Sequence, residues 1–88
     1  MVYILSNVRR TVLYVGRTRH LSQRLAQHRR GNGAAFTRQY RADRLVYVEF
    51  FENARSAMVR EKQLKAGSRR RKVRLIERVN PGWENLAP

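Results

Sequence analysis

Residues Thr11 to His28 constrain this chain more than any other stretch. They read Thr-Val-Leu-Tyr-Val-Gly-Arg-Thr-Arg-His-Leu-Ser-Gln-Arg-Leu-Ala-Gln-His. A short apolar run ends at Tyr14-Val15-Gly16 and reads as a strand. A polar turn follows, and then an amphipathic helix that puts Arg24 and His28 on one face. A phenol, a gap at glycine, a guanidinium and an imidazole therefore gather at one strand-to-helix junction. The remaining residues must hold that junction in place.

The chain has 88 residues, which predicts one small domain over 1–88, with 83–88 as its tail. Cysteine is absent, so disulfides and thiolate metal sites are excluded. Two histidines alone do not make a zinc centre. No apolar run reaches membrane-spanning length and no secretory pattern opens the chain, so a cytoplasmic, nucleoid-associated protein with no membrane partner is expected. Lys and Arg number 20 against 6 Asp and Glu, a formal net charge of +14. Such an excess of one sign points to a polyanion, nucleic acid first, though it does not distinguish cutting from binding.

Along the chain, Val2 to Ser6 reads as a strand, Asn7 to Arg10 as a tight connection, and Thr11 to Gly16 as the second strand of a hairpin. If Ser6 faces Thr11, then Tyr3 faces Tyr14 on the same side of the sheet. Leu21 to Arg30 reads as a helix ended by Gly31 and Gly33. Ala34 to Tyr40 is ambiguous, with room for one helical turn. Arg44 to Glu52 is the best strand, and its nearly continuous apolar run predicts a central strand covered on both faces. Asn53 caps a helix over Ala54 to Ala66, closed by Gly67. Ser68 caps another that reaches about Val79, with Val73, Ile76 and Val79 inward. Pro81 stops it, and the tail packs Trp83 and frays after Leu86. The expected fold class is α/β (α+β): three strands flanked by helices in the order ββα-β-αα.

Glu61 shares a helix face with Ala57, Met58, Leu64 and Lys65. A carboxylate on a largely apolar stripe needs a partner. It is either a salt bridge to Lys65 or to an arginine of the first helix, or a ligand for a hard divalent cation. Mg²⁺ often takes only one or two protein carboxylates, and none of Asp43, Glu49, Glu52, Glu77 and Glu84 pairs obviously with Glu61. Arg24 lies one turn before His28, where a planar guanidinium can hold the oxygens of a phosphodiester under attack. Position alone barely separates it from Arg17 or Arg29. Tyr3 and Tyr14 form either a cross-strand aromatic pair or phenols whose ionisation nearby cations favour. His28 is a core residue, the base itself, or a hydrogen-bond partner of a tyrosine.

The order of these residues is more specific than any of them singly. Tyr3 in Val2-Tyr3-Ile4, Tyr14-Val15-Gly16, Arg24, His28 and the later helical Glu61 together resemble the GIY-YIG nuclease superfamily, the small stand-alone bacterial members most of all. The resemblance extends to Gly33-Ala34-Ala35-Phe36-Thr37, to Leu45-Val46-Tyr47, to Arg60 through Lys65 and to Asn80-Pro81-Gly82-Trp83. It implies a three-stranded antiparallel sheet flanked by helices and one-metal hydrolysis of a phosphodiester. In that resemblance Tyr3 and Tyr14 match the two motif tyrosines, one acting as or assisting the base with His28. Arg24 matches the phosphate-stabilising arginine, Glu61 the metal ligand for Mg²⁺ or Mn²⁺, and Gly16 a place where backbone and substrate approach closely. Three departures stand out. The first motif is Val-Tyr-Ile rather than Gly-Ile-Tyr. Ala66-Gly67 replaces Gly-Trp, and Arg17, Arg19 and His20 make the adjoining loop more basic.

The expected activity is a metal-dependent DNA endonuclease. Its grip on phosphates is assigned to Gly16, Arg17, Arg19, Arg29, Arg30, Arg38, Arg41, Lys65, Arg69, Arg70, Arg71 and Lys72. With no appended recognition domain, single-stranded or branched DNA is a more plausible partner than a specific duplex site. A binding module without catalysis is the rival, and an RNA-binding subunit a third reading. A monomer would nick one strand per encounter; double-strand cuts would need a dimer.

Overall fold

A computed structural model describes residues 1–31 and 35–87. Strand β1 (Val2–Ser6), β2 (Leu13–Arg17), helix α1 (Leu21–Arg29), α2 (Ala35–Tyr40), strand β3 (Arg44–Glu49), α3 (Ala54–Ala66) and α4 (Arg69–Val79) follow one another. The strands form one antiparallel sheet in the order β2-β1-β3. The fold is thus the expected α+β arrangement.

The sheet separates two apolar layers. Tyr3 and Leu5 of β1 join Leu25 of α1 and Leu45 of β3 on one side. Val2 and Ile4 face the other way, against Ala57 and Leu64 of α3, Ile76 of α4 and Trp83. This is the period-two alternation of a strand covered on both faces. The central strand is β1, whose five residues are all buried, and not β3 as its apolar run predicts. The outer edge of β3 is closed by the tail: Leu86 N–H donates to Leu45 O at 2.7 Å, and Leu45 N–H to Asn85 Oδ1 at 3.1 Å. An edge covered by its own chain end is apolar for the same reason a central strand is. The tail stays attached past Leu86, since Ala87 packs on the Leu5 layer.

The hairpin register also differs from expectation. Ser6 pairs with Leu13 and Tyr3 with Gly16, two residues on from the predicted pairing. The cause is Asn7. Its Oδ1 accepts from the N–H groups of Thr11 at 2.9 Å and Val12 at 3.3 Å, so those residues turn instead of entering the ladder. A shift of two preserves the face, whereas a shift of one would have reversed it. Tyr3 and Tyr14 therefore remain on one side, as diagonal rather than opposite neighbours.

Helix boundaries follow their caps. Asn53 Oδ1 accepts from Ser56 N–H at 2.8 Å, and Ser68 Oγ from Arg71 N–H at 3.1 Å. Gly31, with φ of +79°, ends α1; Gly33, assigned the same role from sequence, lies outside the described residues. Ile76 is buried and Val73 partly so, but Val79 is 65% exposed, contrary to expectation, because it sits in the last turn beyond the sheet. Met58 is likewise exposed rather than inward. Among the described residues, no helix is long and apolar enough to cross a membrane.

Candidate active site

The site is assembled at the β2 edge of the sheet. Tyr3 points from the central strand across Gly16, its cross-strand partner. A Cβ on Gly16 would lie 2.4 Å from both Tyr3 Cζ and Tyr3 Oη. The glycine predicted to admit substrate thus first admits the Tyr3 phenol, and any larger residue would have to displace it.

His28, on the buried face of α1, holds that phenol. Its Nε2 lies 3.2 Å from Tyr3 Oη and its Nδ1 2.7 Å from Thr37 Oγ1 of α2. Burial first, and then the charge of Arg24, lower the His28 pKa from its ordinary 6.5. The imidazole is therefore neutral at neutral pH, with one donating and one accepting nitrogen. If Nδ1–H donates to Thr37, Nε2 is left as a proton acceptor facing Tyr3. Thr37 belongs to a segment that sequence comparison singled out, yet nothing in its spacing marks it as a partner for His28.

Tyr3 is not the ionised phenol that nearby cations lead one to expect. Burial chiefly, then the neighbouring Tyr14 phenol, hold its pKa well above the ordinary 10; Arg24 pulls it down and Glu61 pushes it up. Desolvation outweighs attraction here, so Tyr3 stays protonated. Tyr14 stands beside it, with ring centroids 6.4 Å apart, and packs edge-on to His28 at 5.5 Å. Its hydroxyl makes no hydrogen bond among the described residues. Arg24 is exposed, and its guanidinium likewise pairs with no carboxylate among them, while its charge is felt at both Tyr3 and His28. A phenol and a guanidinium are thus both available to a ligand.

Glu61 reaches the same edge from α3. Its side chain is 15% exposed and bridges two cations: Arg17 Nε at 3.3 Å and Lys65 Nζ at 3.2 Å. Lys65 is a partner expected from the sequence. The arginine comes from the end of β2 instead of from the first helix, because Arg17 pairs with Val2 and so faces α3. Among the described residues, no group of three or more His, Cys, Asp or Glu converges. One nearly buried carboxylate fits a hard cation that keeps most of its waters, and does not fit a fully protein-ligated zinc centre.

The remaining basic residues are spread more widely. Arg19, Arg29, Arg30, Arg38, Arg41, Arg70 and Arg71 are exposed. Arg30 Nε donates to Ala26 O within its own helix terminus at 3.3 Å. Arg69 donates to Thr11 O at 3.2 Å and to Arg10 O, bracing the β1–β2 turn. Lys72 Nζ donates to Gly67 O at 3.1 Å. Arg71 lines a cleft between α3 and α4, away from the tyrosines. A cavity of about 590 Å³ on the other side of Arg17 is lined by none of the five candidate catalytic residues.

Comparison with known proteins places the chain in a family. Residues 1–74 match the family model described as the GIY-YIG catalytic domain. A UPF0213 protein of Clostridium perfringens is 42% identical over 73 residues, covering 83% of this chain and 78% of its own length. One from Natronomonas pharaonis is 41% identical over 75 residues, covering 85% and 87% respectively. One from Staphylococcus haemolyticus is 42% identical over 65 residues, covering 74% and 79%. No solved structure matches the chain. Domain match and relatives agree over most of the sequence: the chain belongs to the GIY-YIG family, a domain of nuclease type that takes nucleic acid as its substrate.

Proposed function

We propose that this protein is a metal-dependent endonuclease that hydrolyses DNA phosphodiester bonds, with little sequence specificity and a preference for single-stranded or branched DNA. The observation that carries this reading is the convergence of Tyr3, Tyr14 and His28 beside the Glu61 carboxylate and an Arg24 that has no carboxylate partner among the described residues.

The residues divide the work by their environments. Tyr14, whose hydroxyl makes no hydrogen bond among the described residues, orients the attacking water. The water proton passes to Tyr3 Oη as Tyr3 gives its own proton to His28 Nε2, so no buried phenolate stands alone. His28 Nδ1–H, anchored on Thr37 Oγ1, keeps the imidazole in the accepting tautomer. Arg24 holds the non-bridging oxygens as their charge grows in the transition state. A hydrated Mg²⁺ or Mn²⁺ at Glu61, when bound, supplies positive charge to the leaving oxygen. Glu61 is freed for this role when Arg17 and Lys65 turn to the phosphates instead.

The ion pairs at Glu61 favour one rival. A carboxylate already neutralised by two cations has a structural use, as it would in a binding module that keeps the fold without cutting. A cleavage assay decides between them. Labelled single-stranded, duplex and branched DNA, with RNA alongside, are each incubated with Mg²⁺, Mn²⁺ or EDTA. Cleavage that needs metal and is lost in Glu61→Ala supports the nuclease. Binding to all substrates without cleavage in either metal supports the module.

A further inference from the structure

Helix α2 is built the wrong way round for a helix that merely packs. Its one buried side chain is the polar Thr37. Its two aromatic residues point outward, Phe36 at 39% exposure and Tyr40 at 44%. An amphipathic helix normally does the reverse. Thr37 faces inward because it holds His28. Phe36 and Tyr40, four residues apart, share one side of the helix beside Thr37 and lie 4.9 Å apart between ring centroids.

These rings continue the catalytic cluster outward. Phe36 stacks on Tyr14 at 6.3 Å and 26° between planes, so Tyr3, Tyr14, Phe36 and Tyr40 form one chain of aromatic contacts. Two adjoining depressions run alongside, of about 260 and 250 Å³. Leu13, Phe36 and Lys72 line both. Lys65 lies at the end by Tyr14 and Arg69 at the other, and among the described residues no carboxylate lines either depression. The result is a groove bordered by the Tyr14 and Phe36 rings, with Tyr40 against Phe36 just beyond it, and with ammonium and guanidinium groups along it. An acidic backbone with flat bases matches both features: its phosphates can take over the groups that Lys65 now gives to Glu61 and that Arg69 and Lys72 give to backbone carbonyls, which an apolar protein surface cannot do.

We propose that Phe36 and Tyr40 are a base-stacking platform for an unpaired strand, and that they make this site select single-stranded over duplex nucleic acid. Bases in a duplex already stack on one another and cannot lie on the rings. An unpaired strand can place a base on Phe36 while Lys65, Lys72 and Arg69 follow its phosphates. This deepens the nuclease reading by fixing which strand leads to the cut, yet the stacking does not depend on cleavage.

The test uses the intact protein in EDTA, with a single-stranded oligonucleotide carrying 2-aminopurine and its duplex. Wild type should bind the single strand more tightly and quench the fluorophore by stacking. Phe36→Leu and Tyr40→Leu should weaken single-strand binding by roughly 5- to 150-fold, the range expected for loss of base–aromatic stacking. They should remove the quench and leave duplex binding unchanged, and Phe36→Trp should restore both. An oligonucleotide with abasic positions should bind wild type as weakly as the normal strand binds the leucine variants, a comparison that needs no mutant to fold. Unchanged single-strand binding by the leucine variants, or an abasic strand bound as well as a normal one, overturns the platform whether or not the protein cuts. Absence of cleavage in Mg²⁺ and Mn²⁺, with quenching intact, overturns the nuclease reading and leaves the platform standing.

Discussion

The tip of Tyr3 occupies the space that a side chain at Gly16 would need: a methyl group there would sit 2.4 Å from the phenol oxygen. Gly16→Ala must therefore push the ring of a central-strand residue, and with it the contact to His28. Overpacking of this kind costs about 1–3 kcal/mol, to be read from denaturant unfolding. Displacing a positioned group should slow cleavage on the order of 100-fold. A Gly16→Ala protein that cuts at the wild-type rate would show that the Tyr3 position is immaterial.

The neutral state of His28 gives the activity an acid limb. Its folded pKa lies below the ordinary 6.5, so cleavage should hold down through 6.5 and fall only at lower pH. His28→Gln should abolish that limb and lower the rate by roughly 10²- to 10⁴-fold, as for loss of a general base. The same shift bears on stability. Between the two pKa values the unfolded chain binds more protons, so the contribution is complete above 6.5 and is lost as pH falls through the folded value. A rate profile of the same shape in the variant would remove His28 from the proton path.

Arg17 competes with any cation for Glu61. Removing an exposed ion-pair partner typically changes the balance by about 0.2–1 kcal/mol. Arg17→Met should therefore tighten Mn²⁺ binding by roughly 1.4- to 5-fold on the same scale, followed by the loss of the free-ion resonance signal during titration. Glu61→Gln should bind none at this site. Equal affinity in all three proteins would place the cation elsewhere.

Asn80 compensates for a break in the sheet. Between Ile4 and Leu5 the pairing with β3 slips by one residue, leaving Val46 as the extra residue. Asn80 Nδ2 donates to Val46 O at 3.1 Å and to Glu84 O at 2.9 Å, while its Oδ1 accepts from Glu84 N–H at 3.0 Å. Asn80→Ala should lose about 1–3 kcal/mol, the usual cost of leaving buried polar groups unsatisfied. Asn80→Asp, which keeps the shape but cannot donate, should fail as well. Thermal unfolding in which Asn80→Asp matched wild type would exclude the donor role.

A second polar cluster governs acid stability. Arg60 clamps Glu49 with contacts of 2.9 to 3.2 Å, and the Tyr47 hydroxyl donates to the same carboxylate. Burial alone would raise the Glu49 pKa, but the Arg60 and Tyr47 hydrogen bonds and the Arg60 charge outweigh it and leave it lowered from 4.5. Burial and the Glu49 contact push Tyr47 up to about 12. Below 4.5 the unfolded chain takes up the proton first, so the stabilisation is present above 4.5 and lost as pH falls through the folded value. Glu49→Gln should flatten that part of the stability curve in urea titrations at a series of acidic pH values. An unaltered acid limb would show that other carboxylates control it.

Short-range signals determined much of this protein. Asn53 and Gly67 bounded α3, and Ser68 started α4, because a cap needs only residues three or four positions away. The alternation in Val2 to Ser6 and the helical spacing of Arg24 and His28 determined which residues share a face, since those periods are local. The candidate site residues Tyr3, Tyr14, Arg24, His28 and Glu61 were chosen from their order along the chain, which resembles a known family, and not from any local period. What lay beyond the sequence depended on pairings between distant segments. Asn7 chose the hairpin register by capturing Thr11 and Val12, and the tail closed the edge of β3 that its composition had placed at the centre. Thr37 met His28, Arg17 met Glu61, and burial overcame the cations at Tyr3, only once the sheet and three helices had closed around one edge. Partner choice and desolvation follow from the three-dimensional neighbourhood, which no window along the chain contains.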